Sequence, residues 1–215
     1  MDKYTMDTKT QIIRGQRILN QLEENELKLV TERSTIDQLA TNTKGFMPQT
    51  RKREYAMHEL GIPNQPIYKP AVGTKTLTIK TDVSSRHESK EDLADPQKRG
   101  TNPIYTTTII FNQVEYENES TDTNVTFTGA DGQEYNMAPI QLNKHTVRVA
   151  CNCLDFHWRF RSYNAQDQSS AIRGPAPYKK VPGSTRPPSN IKRVPGLCKH
   201  LLATIEALKN AKMVT

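Results

Sequence analysis

Between residues 8 and 40 the apolar positions are sparse and regularly spaced. Ile12, Leu19, Leu22, Leu29 and Ile36 fall close to heptad spacing. The pattern predicts one long helix over residues 8–40 with a single narrow apolar seam. Thr8 and Gln11 stand at capping-box spacing at its start. Gly15, Glu26 and Arg33 interrupt the seam, and Thr31 to Thr35 is the natural place for a break. Such a helix would reach on the order of 50 Å. A stripe that thin does not hold it alone, so it calls for a second surface, from this chain or from a partner subunit.

The pattern then dissolves. Residues 41–103 are punctuated by Pro48, Pro63, Pro66, Pro70, Pro96 and Pro103 and read as mostly irregular. A short helix is expected over about Thr50 to Leu60 and one strand over Thr76 to Thr81, where apolar and polar residues alternate. Residues 82–100 have the polar, charged composition of a linker.

From residue 104 the period changes to two. Tyr105 to Tyr116 is rich in β-branched and aromatic residues. Val125–Thr128 and Gln133–Met137 flank Gly129-Ala130-Asp131-Gly132, a hairpin signal in which Asp-Gly supplies positive φ. Over Thr146 to Phe160 a further strand or broken pair is expected. Val147, Val149, Cys151 and Cys153 share one face there. Phe156, Trp158 and Phe160 share the opposite parity, so a turn or bulge near Leu154-Asp155 must intervene. Between two Phe residues, Trp158 reads as core. Residues 164–197 form a long Pro/Gly/Ser-rich loop. A helix from Cys198 to about Met213 closes the chain, with Leu201, Leu202, Ile205 and Leu208 on its apolar face.

The fold class is therefore α+β: a long N-terminal helix, an extended irregular middle, and a small antiparallel β domain closed by the C-terminal helix. The domains read as a helical arm over 1–45, an extended arm or linker over 46–103, and a β-rich domain over 104–215.

Composition sharpens this picture. Hydrophobic residues make up 34% of the 215, a thin supply for one tight core. The N-terminus is polar, and no stretch approaches the roughly 20 apolar residues that span a bilayer. No membrane partner and synthesis in a cytoplasm are expected, and two glycosylation-type tripeptides at Asn118 and Asn124 carry no weight. Charge is uneven. Residues 1–147 hold 18 Lys/Arg against 20 Asp/Glu, and residues 148–215 hold 12 against 3. The basic excess of the last third attracts phosphates or an acidic protein surface.

Three cysteines, all after residue 150, do not make a disulfide framework. They form two spaced pairs, Cys151-Asn152-Cys153 and Cys198-Lys199-His200. On a strand, residues i and i+2 point the same way, so both thiols of the first pair can face one ion. At a helix start the second pair can converge, and the helix N-terminus favours the thiolate that binds metal. One structural zinc ion with Cys151, Cys153, Cys198 and His200 as tetrahedral ligands is the expectation. His200 should bind through one ring nitrogen while the other donates to an acceptor. Plain buried thiols are the competing account. His157 is the reserve ligand, and His58, His87 and His145 read as solvated or locally hydrogen-bonded.

The order C-x-C, spacer, C-x-H, with strands before it and a helix opened by Cys-Lys-His-Leu-Leu, resembles the SWIM zinc finger over about residues 146–213. The resemblance implies that the first pair sits in a β-turn-β element and the second opens the helix. Its spacer here, 44 residues from Cys153 to Cys198, is longer than usual. More loosely, Val149 to Phe160 together with Pro195 to His200 is similar to structural proteins of large tailed bacteriophages, which implies a virion component made in the host cytoplasm.

Three functional classes follow. A non-enzymatic virion structural or assembly protein would use the zinc-stapled domain to contact other virion proteins in an oligomeric assembly. Its extended arms would order on neighbouring subunits. As an alternative, a nucleic-acid-binding module would use Arg159, Arg161, Arg173, Lys179, Lys180, Arg186, Lys192 and Arg193, with Tyr178 or Trp158 as a stacking platform. An enzyme is the least supported. Glu115, Glu117, Glu119 and Asp122 read as a solvated face, and a Cys3His shell leaves no open metal position.

Overall fold

The computed structural model describes residues 33–44, 62–84, 103–176 and 190–215. Most of the expected long helix, the helix over 50–60 and most of the linker over 82–100 lie outside these residues. Within the described part of that helix the chain is interrupted where a break was allowed. Thr35 forms a β-bridge with Thr146, and helix α1 (Ile36–Lys44) begins only after it. The cause is local. Thr35 Oγ1 accepts the Gln38 N–H at 3.3 Å and Gln38 Oε1 accepts the Thr35 N–H at 2.8 Å, a capping box one turn before the buried Leu39.

A four-stranded antiparallel sheet runs in the order β1 (Ile67–Ala71), β2 (Thr76–Ser84), β3 (Ile104–Phe111), β7 (Val147–Cys151). The extended-arm assignment of residues 46–103 is thus corrected for 67–84. The alternation of Leu77, Ile79, Thr81 and Val83 gives β2 one wholly buried face, and it pairs with β3 along eight residues. Three cross-strand rows build the inner face: Leu77–Phe111–Val147, Ile79–Ile109–Val149 and Thr81–Thr107–Cys151. A smaller sheet joins β4 (Tyr116–Glu117), β5 (Val125–Thr128) and β6 (Glu134–Met137) in the order β4-β6-β5. The β5–β6 hairpin is the expected one, with Gly132 at φ +79° in its turn. Phe127 packs on Tyr68 of β1, ring centroids 5.3 Å apart.

After β7 the chain departs from expectation. Instead of a second strand, residues 154–166 are helical throughout. The segment is π-wound over Phe156–Phe160 and passes into α2 (Arg161–Gln166). Helical winding puts Phe156 and Phe160 on one buried face and turns Trp158 outward, 59% exposed, which corrects its placement in the core. Helix α3 (Lys199–Asn210) lies on the inner face of the large sheet with Leu201, Thr204, Ile205 and Leu208 buried. Its far end is stitched down. Ile140 donates its N–H to Met213, and Thr215 donates back to Ile140, at 3.0 and 2.8 Å.

Replacing Thr35 by Ala removes half of the capping box. Chemical denaturation should show a loss of about 1 kcal/mol, and Thr35→Ser should recover most of it.

Candidate metal centre

The strand end and the helix start meet at the bottom of the inner face. Cys151 closes β7, and Cys153 follows on the same face after one exposed residue, Asn152. Asn152 keeps the pairing with β3 intact past the strand end. Its N–H reaches the Thr106 carbonyl at 3.3 Å and its side-chain oxygen accepts the Thr106 N–H at 3.0 Å. Cys198 is the N-cap of α3, in extended backbone, and His200 sits in the first turn. The structure brings the four side chains together: all are buried, and their donor atoms lie within 4.8 Å of one another. None of the cysteines is in a disulfide.

These distances suit a tetrahedral shell. Metal–sulfur and metal–nitrogen bonds of about 2.3 and 2.0 Å imply edges of roughly 3.5–3.8 Å. The nitrogen facing the thiols is His200 Nδ1, 3.8 Å from Cys151 Sγ. The widest allowed separation needs to close by only about 1 Å to complete such a shell. Cys153 Sγ also accepts the Phe156 N–H at 3.3 Å, the kind of N–H···S contact that orients a thiolate ligand. The four residues can therefore hold one metal ion.

Two helix starts point at this cluster. Cys198 caps α3, and Cys153 stands at the head of the helical run from Leu154, its carbonyl accepting the His157 N–H at 3.1 Å. Both helix N-termini present positive partial charge to sulfur. Packed together, the three thiols share negative charge unequally. Cys153 is held far below the usual thiol range because Cys151 and Cys198 hydrogen-bond to its sulfur, with smaller help from His200 and the Phe156 N–H. Cys151 is pushed up to about 12, chiefly by its hydrogen bond to Cys153. Burial pushes Cys198 well up, and its contacts with the other two thiols push the same way. A divalent cation removes this competition by taking all three as thiolates.

The support around the ligands was not visible in the sequence pattern. Tyr105 stacks on the His200 ring, centroids 4.3 Å apart. That stack holds the imidazole where a second hydrogen bond was expected; Nε2 is buried and has no hydrogen-bond partner among the described residues. Asn164, fully buried, binds both backbone groups of Gly196. It accepts the Gly196 N–H at 2.9 Å and donates to the Gly196 carbonyl at 3.1 Å. Thr43 Oγ1 of α1 accepts the Leu197 N–H at 2.8 Å. These bonds fix the approach of the chain to Cys198. Gly196 is required there, since a Cβ would stand 2.6 Å from the Phe160 ring.

Other candidates separate from the site. His157 is outside the cluster, with Nδ1 3.1 Å from an Arg161 nitrogen. His145 is bonded locally through Nδ1 to Gln141, and His58 and His87 lie outside the described residues. Glu115, Glu117, Glu119 and Asp122 are exposed. Of the basic set, Arg159 pairs with Asp155 at 3.5 Å. Arg161 is turned onto the Arg173 carbonyl at 2.9 Å. Arg159 is thereby tied within the helix that follows Cys153, and Arg161 to the segment after it. Arg173, Lys192 and Arg193 are exposed, and Lys179, Lys180 and Arg186 lie outside the described residues. Trp158, with its neighbour Leu154 at 72%, is exposed beside the centre. Among the described residues no helix is long and apolar enough to cross a membrane.

The arrangement meets half of the SWIM expectation. The second pair opens a helix, but the first ends a strand that continues as helix rather than as a β-turn-β element.

Because the raised thiols of Cys151 and Cys198 must lose protons to ligate, metal affinity should rise with pH and fall as acid returns them. Competition with a chromophoric chelator across pH should show the bound ion released on acidification. Cys198→Ser should lose about one ion per chain by elemental analysis and unfold the region around α3. Gly196→Ala should cost about 1–3 kcal/mol in the unfolding of the metal-loaded protein.

The chain matches no family model, no curated protein and no solved structure.

Proposed function

We propose that this chain is a non-enzymatic structural protein of a larger assembly, a virion component of a tailed bacteriophage, whose interaction domain is stapled by one structural zinc ion. The observation that carries the reading is the closed, buried Cys3His donor set. Soft thiolates with one imidazole in a tetrahedral arrangement suit zinc. Four protein donors leave no position for water or substrate, so the ion supplies folding energy rather than Lewis-acid chemistry. A SWIM-type finger with a helical first half is the nearest description of the motif.

The virion setting rests on the likeness of Val149 to Phe160 and Pro195 to His200 to structural proteins of tailed phages. Extended arms lying on neighbouring subunits are part of that reading only for residues outside the described ones, because 67–84 fold into the sheet of their own domain. The exposed Leu154 and Trp158, one helical turn apart beside the stapled site, suit contact with another protein.

Elemental analysis of the purified full chain should give one zinc per chain, with no nuclease or hydrolase activity attached to it. Mass spectrometry of purified particles should find the chain in the virion. Its absence from particles, while it accumulates in infected cells, overturns the virion setting and leaves the staple standing. A chain that folds fully without zinc overturns the staple.

A further inference from the structure

The large sheet has a second face that neither the staple nor α3 uses. Residues of the other parity point there: Lys69, Thr78, Lys80, Thr108, Ile110 and Arg148. Lys69, Thr78, Ile110 and Arg148 fall in one cross-strand row, and Lys80 stands in the next. Lys69 and Lys80 are exposed; Thr78, Ile110 and Arg148 are partly so. The row continues beyond β7. Val147 donates its N–H to the Ser34 carbonyl at 3.1 Å, and the Thr35↔Thr146 bridge is antiparallel, so Arg33 comes opposite Arg148.

Two guanidinium groups held side by side repel. Arg33 is depressed from its usual range by burial and then by Arg148. The Nε atom of each is buried without a hydrogen-bond partner among the described residues. Asp167 Oδ2, on the neighbouring backbone, accepts the Ser34 N–H at 3.3 Å. The acid on the sheet face itself, Asp82, is occupied by Thr106 Oγ1 at 2.9 Å and Asn64 Nδ2 at 3.3 Å. Among the described residues, four cations therefore share this face with one engaged carboxylate, Asp82.

We propose that this outer sheet face binds the phosphate backbone of a nucleic acid, with Arg33 and Arg148 as a paired clamp for one phosphate and Lys69 and Lys80 contacting others. Planar guanidinium groups match phosphate oxygens in forked geometry, and lysine adds point charge. Three strand spacings of about 4.8 Å separate Lys69 from Arg148, roughly 14 Å. That span covers several phosphates at about 3.4 Å of rise per nucleotide along one strand of a duplex. Among the described residues the face offers no aromatic platform, so contact is to the backbone and indifferent to sequence. The surface differs from the basic loop that carries Arg173, Lys192 and Arg193, and it does not depend on the virion assignment.

The test is fluorescence anisotropy of the full, zinc-loaded chain with a labelled oligodeoxynucleotide of about 20 nucleotides, single-stranded and duplex in separate arms, over a salt series that reads phosphate contacts from its slope. The triple change Lys69→Gln, Lys80→Gln, Arg148→Gln should weaken binding by about tenfold or more and lower the salt slope by about 2–3. The triple change Arg173→Gln, Lys192→Gln, Arg193→Gln should leave both within about twofold. Zinc content is measured on every variant, so loss of the staple is read separately. Should the first triple fail to fold, Lys69→Gln with Lys80→Gln, both exposed, carries the test. No binding at the lowest salt in either arm, or a loss confined to the loop triple, overturns the proposal.

Discussion

Convergence of two helix starts on one strand end is the constraint from which the rest of this domain follows. Cys151 and Cys153 leave β7 facing inward, and Cys198 and His200 arrive at the head of α3 on the same spot. Three thiols in a dry cluster repel once more than one is charged, and a cation among them lets all three ionise. The cluster therefore sets a condition on the fold: α3 must cross the inner face of the sheet with its N-terminus over the Thr81–Thr107–Cys151 row. Thr107 marks this crossing, its hydroxyl 2.8 Å from that of Thr204 on α3.

Around that condition the chain spends its few large apolar residues in rows. Phe111, Ile109, Leu77, Ile79, Val147 and Val149 make the sheet side of the core, and Leu201, Ile205 and Leu208 make the helix side. With hydrophobic residues at 34% of the chain, little remains for the connection between Gln166 and α3. The described part of that connection is held by polar bonds to backbone, from Asn164 to Gly196 and from Asn190 to the carbonyls of Arg159 and Val194. A buried Asn that satisfies both backbone groups of one residue stabilises the backbone path without adding core volume.

What the sequence revealed depended on how local the signal was. Period-two alternation exposed the β5–β6 hairpin and the shared face of Cys151 and Cys153, and i, i+3, i+4 spacing exposed α3. The ligand set was legible because each pair obeys a local geometry. The two strands at 67–84 were only half read, since Pro70 and the flanking prolines suggested an arm; nothing local tells that β2 is the partner of a strand beginning at residue 104. Phe156, Trp158 and Phe160 fit period two as well as they fit a helix, and Cys153 accepting the Phe156 N–H settled the choice toward helix. Asn164, Tyr105 and the Arg33–Arg148 pair are tertiary facts with no sequence period at all.

The edges of the large sheet are treated differently. Beyond β7, the outward backbone groups of Val147 and Val149 are taken by Ser34, Ser169 and Ala171. At the other side, β1 carries Pro70, which has no N–H to offer, and Lys69 beside it, while the Tyr68 carbonyl is already bonded to Ala130 at 2.7 Å. Pairing of two such sheets edge to edge is thereby blocked at both ends. Copies of this domain can therefore crowd together at high local concentration without the large sheet growing into continuous β-structure through its own two edges.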